Sequence, residues 1–165
     1  MRENPILPVR EMAQIEQSYF RFLDFSPVSI PSLAVEEVIS EKIRAASQRS
    51  KIRDLYDLAE ISSRPMNHEI IRSLAVLKLW QGGGAGLDYD RFRQRIEAGD
   101  EYEVKDLQNL LRKDQKPDLV RMIGRVCSAF RFLGNLTELE EKLAADSAMR
   151  LRREAANLRK QLEHK

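Results

Sequence analysis

The sequence predicts a mainly α-helical, bundle-like domain of six or seven helices, with a short extended or strand segment near the N-terminus. Three observations carry this. Apolar residues recur at spacings of three and four through most of residues 35–165, the period of a helix that buries one face. Cap residues and breakers, including Asn67, Asp88, Pro117-Asp118, Gly134 and Thr137, cut that pattern into helix-sized pieces. Strand-like alternation is confined to Tyr19–Phe25, YFRFLDF.

Composition bounds the function classes. With 165 residues, 42% hydrophobic and 33% charged, the chain is long enough to bury a core and keeps a solvated surface. A net charge of +2 is too small to argue for nucleic-acid binding alone, although basic residues cluster at 42–53 and 150–160. The single cysteine, Cys127, excludes an internal disulfide framework and sits among apolar residues as an inert thiol. Two distant histidines, His68 and His164, and one cysteine make no zinc site. No apolar run approaches the roughly 20 residues of a membrane span. MRENPILPVREMAQ has no signal-peptide core, so a cytoplasmic location follows by default.

Residues 1–34 are punctuated by Pro5, Pro8, Pro27 and Pro31. Glu11–Gln17 suits a short helix and Tyr19–Phe25 a strand, for which the chain offers no good second strand. Either the segment is a remnant of a larger sheet or it is an extended arm packed on helices.

The first main helix is expected over Val35–Gln48. Val35, Val38, Ile39, Lys42, Ile43 and Ala46 form one stripe, which places Lys42 on the apolar side, and Arg49 follows beneath it on the same face. Glu37 complements the helix N-terminus. After the basic connector Arg49-Ser-Lys51-Ile-Arg53, a second helix begins with Asp54, Asp57 and the apolar Leu55, Leu58 and Ala59. A lysine and an arginine therefore converge on a turn that presents two carboxylates. In the plainest account, Lys42 snorkels, Asp54 caps its helix and Arg53–Asp57 is a surface ion pair.

Asn67 caps a third helix over His68–Gln81, with Met66 and Ile71 as a hydrophobic staple; His68 falls in its exposed first turn. A glycine run, Gly82–Gly84, then precedes Asp88-x-Asp90. This imitates a metal-binding start, but the following RFRQRI reads as a helix capped by Asp88, and the glycines as a flexible connection. A P-loop is excluded because its Gly-Lys-Ser/Thr end is absent. Further helices are expected over Tyr89–Ala98 (Phe92 and Ile96 inward), Glu103–Arg112 (Leu107, Leu110 and Leu111 inward) and from Asp118 to Leu133, where Leu119, Met122, Ile123, Val126, Cys127, Phe130 and Leu133 form the cleanest stripe.

Thr137 and Glu140 make a capping box for a last helix running towards Lys165. Its seam of Ala144, Ala148, Leu151, Ala155, Leu158 and Leu162 is heptad-like and fits a solvated tail, a partner helix or a second copy. Its basic face, with Arg150, Arg152, Arg153, Arg159 and Lys160, suits RNA or an acidic partner if it is more than solvated.

The stretch S-E-K-I-R-A-A-S-Q-R-S-K-I-R-D-L-Y-D-L closely resembles the E-K-l-r-A-l-x-x-R-x-k-x-R-D-l-y-D-l segment of the AbiEii/AbiGii nucleotidyltransferase toxins. These are abortive-infection and type IV toxin–antitoxin proteins with a DNA-polymerase-β-like core. Glu41, Lys42, Arg44, Ala45, Arg49, Lys51, Arg53, Asp54, Tyr56 and Asp57 carry the match. The resemblance implies that the essential lysine maps to Lys42 and the late acidic motif to Asp54 and Asp57. Nucleotide-binding cations would be Lys42, Arg49 and Arg53, with a nucleoside triphosphate and Mg²⁺ as substrate and cofactor. It also implies a cognate antitoxin and, for some members, an RNA acceptor such as tRNA.

The family's Gly-Ser pair followed by D-x-D should precede this segment, and residues 1–34 contain no such pair. No metal ligand is therefore assigned. The expected organisation is an extended arm over 1–34, which would be a remnant of a nucleotidyltransferase core, a helical domain over 35–133 carrying the motif, and a C-terminal amphipathic helix over 134–165. The expected function is that of the C-terminal part of such a toxin, inactive alone. The competing expectation is a non-enzymatic interaction module using the C-terminal helix, including as a homo-oligomer contact.

Overall fold

The computed structural model describes residues 5–83, 85–99, 102–109, 111–112 and 116–163. Leu110 and His164, named above, lie outside them. Among the described residues, a two-stranded antiparallel hairpin, β1 (Arg10–Met12) with β2 (Ile30–Ser32), precedes eight helices. These are α1 (Val35–Gln48), α2 (Ile52–Ile61), α3 (His68–Gln81), α4 (Tyr89–Glu97), α5 (Val104–Gln108), α6 (Leu119–Ala129), α7 (Glu138–Ala145) and α8 (Arg152–Glu163).

The bundle is built around α3. Residues from Ile70 to Leu79 are buried without a break except Arg72, so this helix is covered on every side. It packs on α1, α7 and α8, while α2 lies between α1 and α6, and α4 bridges α1 and α6. Asn67 caps α3 by accepting from the Ile70 N–H at 3.2 Å. Asp88 and Asp118 cap α4 and α6 in the same way, each at 3.0 Å. His68 is exposed and stacks on Phe132 with ring centroids 4.2 Å apart.

Four expectations are corrected. Residues 11–17 form no helix: Glu11 and Met12 belong to β1, which pairs Arg10 with Ser32 and Met12 with Ile30. Tyr19–Phe25 is not a strand: Ser18–Phe22 is a 3-10 turn at the far end of that hairpin. Alternating aromatics were a poor guide because this segment buries neither face, so no packing enforces the two-residue period.

The apolar stripe of α1 is also rotated from the expected one. Val35 and Val38 are exposed, and the buried set is Glu37, Ile39, Ser40, Ile43 and Ala46. Two polar residues can occupy that face because each has partners. Glu37 Oε1 accepts from the backbone N–H groups of Ile6 and Leu7, and Lys78 Nζ lies 3.0 Å from Glu37 Oε2. The Ser40 hydroxyl reaches the Glu36 carbonyl at 2.6 Å.

Finally, the last helix is two. The chain breaks between Ala145 and Arg152, where Asp146 accepts from the Leu151 N–H at 2.7 Å and from Trp80 Nε1 at 3.0 Å, and Met149 takes a positive φ of 52°. The break folds α8 back along α3. Leu143, Ala155, Leu158 and Leu162 are consequently buried in the same cluster as Ile6, Ile43 and Leu74. Of the expected seam, Ala155, Leu158 and Leu162 are thus spent inside the chain, while Ala144 and Leu151 are half-buried and Ala148 is exposed. Leu158→Asp should lower thermal stability by more than the about 2–5 kcal/mol of a buried Leu→Ala change, with unfolding and not mere dissociation seen by circular dichroism.

The glycine connection is also more constrained than a flexible linker. Gly83 has φ +68°, and a Cβ on Gly86 would fall 2.0 Å from the Ala144 carbonyl oxygen, so the backbone of α7 closes directly onto this loop.

Candidate functional site

The site forms where α1 ends and α2 begins. Lys42 lies on the last full turns of α1, and Arg49 is its C-cap, with extended backbone that redirects the chain. Ile52, Leu55, Leu58 and Ala59 bury the apolar side of α2, which leaves Asp54 in its first turn facing back towards α1. A carboxylate there is favoured by the positive end of the helix.

The expected convergence of Lys42, Arg49, Asp54 and Asp57 is observed. Lys42 Nζ lies 2.6 Å from Asp57 Oδ2 and 3.4 Å from Asp54 Oδ1. Arg49 Nε donates to Asp54 Oδ2 at 2.9 Å, and its Nη2 reaches Asp54 Oδ1 at 3.4 Å. Asp54 is almost fully buried, whereas the Lys42 side chain is 32% and the Asp57 side chain 41% exposed. The hydrogen bond to Asp57 holds the Lys42 ammonium above its ordinary pKa, against the effect of burial. Asp54 does the same for the Arg49 guanidinium. Both cations therefore stay charged throughout the neutral range.

These groups edge an open cleft of about 480 Å³. Lys42, Arg49, Lys51, Arg53, Asp54 and Asp57 line it together, and Tyr56, Leu107 and Leu111 supply the remaining wall. Arg53 does not pair with Asp57, which is taken by Lys42; among the described residues neither Arg53 nor Lys51 has an ion pair. Two cations are thus held in place by carboxylates, and two more are unpaired. Such a wall suits a multiply charged phosphate group.

Mg²⁺ does not fit these residues by themselves. Both oxygens of Asp54 and one of Asp57 are already engaged by Arg49 and Lys42. Among the described residues no group of three potential ligands comes together, whereas Mg²⁺ demands near-octahedral oxygen coordination. Asp88, the start of the decoy D-x-D, is spent on its helix cap.

A family model described as the nucleotidyl transferase AbiEii toxin of type IV toxin–antitoxin systems matches residues 2–156. The chain belongs to this family. Among solved structures, it is similar to the nucleotidyltransferase toxin MenT4 from Mycobacterium tuberculosis H37Rv, with a TM-score of 0.83 and 26% sequence identity. The likeness covers 98% of this chain and 56% of the MenT4 chain, so this AbiEii-family chain spans a little over half of that toxin's length. No curated protein matches it.

Sequence reasoning found the four converging charges of this AbiEii-family site but missed its supports. Lys51, Tyr56, Leu107 and Leu111 line the cleft, although the leucines read simply as core. More important is Lys78, buried within α3, whose Nζ lies 2.8 Å from Glu41 Oε1 and 3.0 Å from Glu37 Oε2. Arg44 Nε donates to the other Glu41 oxygen at 2.9 Å. Burial raises the Glu41 pKa, but the hydrogen bonds from Lys78 and Arg44 outweigh it and leave the group below its ordinary value. This network fastens α1 to α3 at the residue before Lys42. A lysine between Leu77 and Leu79, with carboxylates spaced i, i+4 on α1, was the available signal. Cys127 is not a nucleophile candidate: burial, then Glu97, pushes its thiol pKa up. None of the described helices is long and apolar enough to cross a membrane.

Proposed function

We propose that this chain is the helical part of a nucleotidyltransferase toxin and supplies the triphosphate-contacting cations of its active site. The observation that carries the reading is the cleft in which Lys42 and Arg49, each held by a buried or half-buried aspartate, stand beside the unpaired Arg53 and Lys51. Family membership and the likeness to MenT4 support it.

In this reading Lys42 donates to a phosphate oxygen and exchanges its bond to Asp57 for that contact. Arg49 and Arg53 bind the remaining phosphate charge, as guanidinium groups do with two oxygens at once. Asp54 acts as a positioning residue, orienting Arg49 and Lys42 from beneath, and Asp57 orients Lys42 between turnovers. Preorganised cations of this kind stabilise charge on a transferring phosphoryl group. The metal-dependent part of the reaction belongs to a Gly-Ser…D-x-D half that these residues do not supply.

The apolar surface of the hairpin and the start of α1 supports such a missing half. Met12, Ile15, Phe22, Phe25, Val28, Ile30, Val35 and Val38, all within residues 12–38, are exposed, and apolar residues exposed together are the mark of an interaction surface. The complete system would include a cognate antitoxin, and an RNA such as tRNA as the acceptor. The chain alone should therefore bind a nucleoside triphosphate without transferring it.

Titration calorimetry tests this with a nucleoside triphosphate, the matching nucleoside and inorganic triphosphate. The triphosphates should bind and the nucleoside should not. Arg49→Ala/Arg53→Ala should weaken binding about 10- to 100-fold, the loss of one or two charge-assisted contacts. Arg53→Ala alone, which leaves Asp54 paired, separates this from misfolding. Equal binding of nucleoside and triphosphate would sink the assignment.

A further inference from the structure

The last turn of α3 and the start of α8 enclose a groove of about 430 Å³ that shares no residue with the Lys42 cleft. On α8, Arg152, Ala155, Ala156 and Arg159 line it, spaced i, i+3, i+4 and i+7 along one face. Two alanines thus form the floor, with an arginine at each end, about 10 Å apart along the axis. The facing wall is the half-buried Trp80.

This wall is set before anything binds. Asp146 accepts from Trp80 Nε1 at 3.0 Å and from the Leu151 N–H at 2.7 Å, which fixes the indole and commits the carboxylate to those donors. Met149 also lines the groove, with its backbone in the left-handed region that residues bearing a Cβ rarely adopt. Its methyl reaches back to within 3.7 Å of where a Cβ on Gly83 would lie. Both charged residues of the lining are cations. Arg152 has no ion pair among the described residues, and Arg159 meets Glu163 through Nε at 3.1 Å, a surface pair worth little.

We propose that this groove binds a small apolar carboxylate, whose ring or branched chain lies between Trp80 and Ala155–Ala156 and whose carboxylate meets Arg152. The site is independent of the nucleotidyl-transfer reading. Its size, apolar floor and few placed charges are those of a small-ligand pocket. A guanidinium takes a carboxylate through two parallel hydrogen bonds, so the groove selects an acid over an amine of the same shape. An extended acidic protein segment would also engage Arg150 and Arg153, which are exposed but do not line the groove.

Trp80 is the single tryptophan of the chain, so its fluorescence reads the groove directly. The probes are 4-phenylbutyrate, 4-phenylbutanol and 4-phenylbutylamine, which share an apolar body and differ in the head group. The acid should shift the emission saturably and bind at least about tenfold tighter than the alcohol, the ratio expected of one charge-assisted contact. The amine should bind no better than the alcohol. Arg152→Ala should bring the acid down to the alcohol's affinity; Arg152 is exposed, so this variant reports on binding and not on folding. Ala156→Leu, at an exposed helical position that accepts leucine, should fill the groove and abolish the shift while leaving the circular dichroism melt unchanged. Absence of a saturable shift up to about 10 mM acid, weaker than any specific affinity, overturns the proposal. Equal binding of acid and alcohol overturns it too, as does acid binding that survives Arg152→Ala. A linear quench common to all three probes is collision with a half-exposed indole and also counts against the site.

Discussion

If this chain supplies the phosphate-binding cations as proposed, Lys42→Ala should lower nucleotide transfer by an enzyme that contains it about 10²- to 10³-fold, the range for removing one preorganised donor to developing charge. The reason lies in how the side chain is held. Asp57 at 2.6 Å and Asp54 at 3.4 Å fix the ammonium at the cleft edge before any ligand arrives, so little is spent on ordering it when phosphate binds. The loss should appear mostly in kcat, since Arg49, Arg53 and Lys51 remain to hold ground-state charge. Lys42→Arg should not restore the rate, because a planar guanidinium cannot occupy the point-charge position between two aspartates. Single-turnover assays, on protein that contains both the D-x-D half and this chain, separate binding from chemistry. A variant that transfers at the parental rate would remove Lys42 from the mechanism and return it to the role of a snorkelling surface lysine.

The second large effect is on stability. Lys78→Ala is expected to cost about 3–5 kcal/mol, as does removing one partner from a buried ion pair. The Lys78 side chain is 6% and that of Glu37 1% exposed, so water cannot replace the lost cation. Urea unfolding measures it. Lys78→Met should be nearly as damaging, because Glu37 and Glu41 still lose their partner. Combining Lys78→Met with Glu37→Gln and Glu41→Gln should recover much of the loss, which distinguishes an orphaned charge from a simple cavity.

The pH dependence follows from Glu41, whose folded pKa lies below its ordinary value. A depressed carboxylate contributes stability that is present above its unfolded pKa, about 4.3, and is lost as the pH falls through the folded value. In the Lys78 variants the main source of that depression is gone, so their stability should fall less steeply on acidification than the parent's.

The two variants act through adjacent residues of one helix. Glu41 and Lys42 are neighbours on α1, one turned towards α3 and the other towards the cleft. A weakened anchor at Glu41 should therefore loosen the geometry at Lys42, and Lys78→Ala should lower transfer at temperatures where the fold is still intact.

What the sequence determined by itself was local. Helix positions followed from short-range rules: Asn67, Asp88 and Thr137 each cap the helix expected of them, and Asp118, expected as the start of the sixth helix, is its cap. The meeting of Lys42, Arg49, Asp54 and Asp57 was legible for the same reason, since sixteen positions and one tight connector, residues 42–57, contain all four groups. Tertiary structure decided whatever depended on a distant partner. The hairpin of β1 and β2 joins residues 18 to 22 positions apart. The burial of Glu37 and Ser40 instead of Val35 and Val38 depends on Ile6, Leu7, Ile71 and Lys78. The split of the last helix depends on Trp80 holding Asp146. Periodicity reports which residues share a face, but which face is buried, and whether a charge on it finds a counter-charge, is settled only when the helices pack.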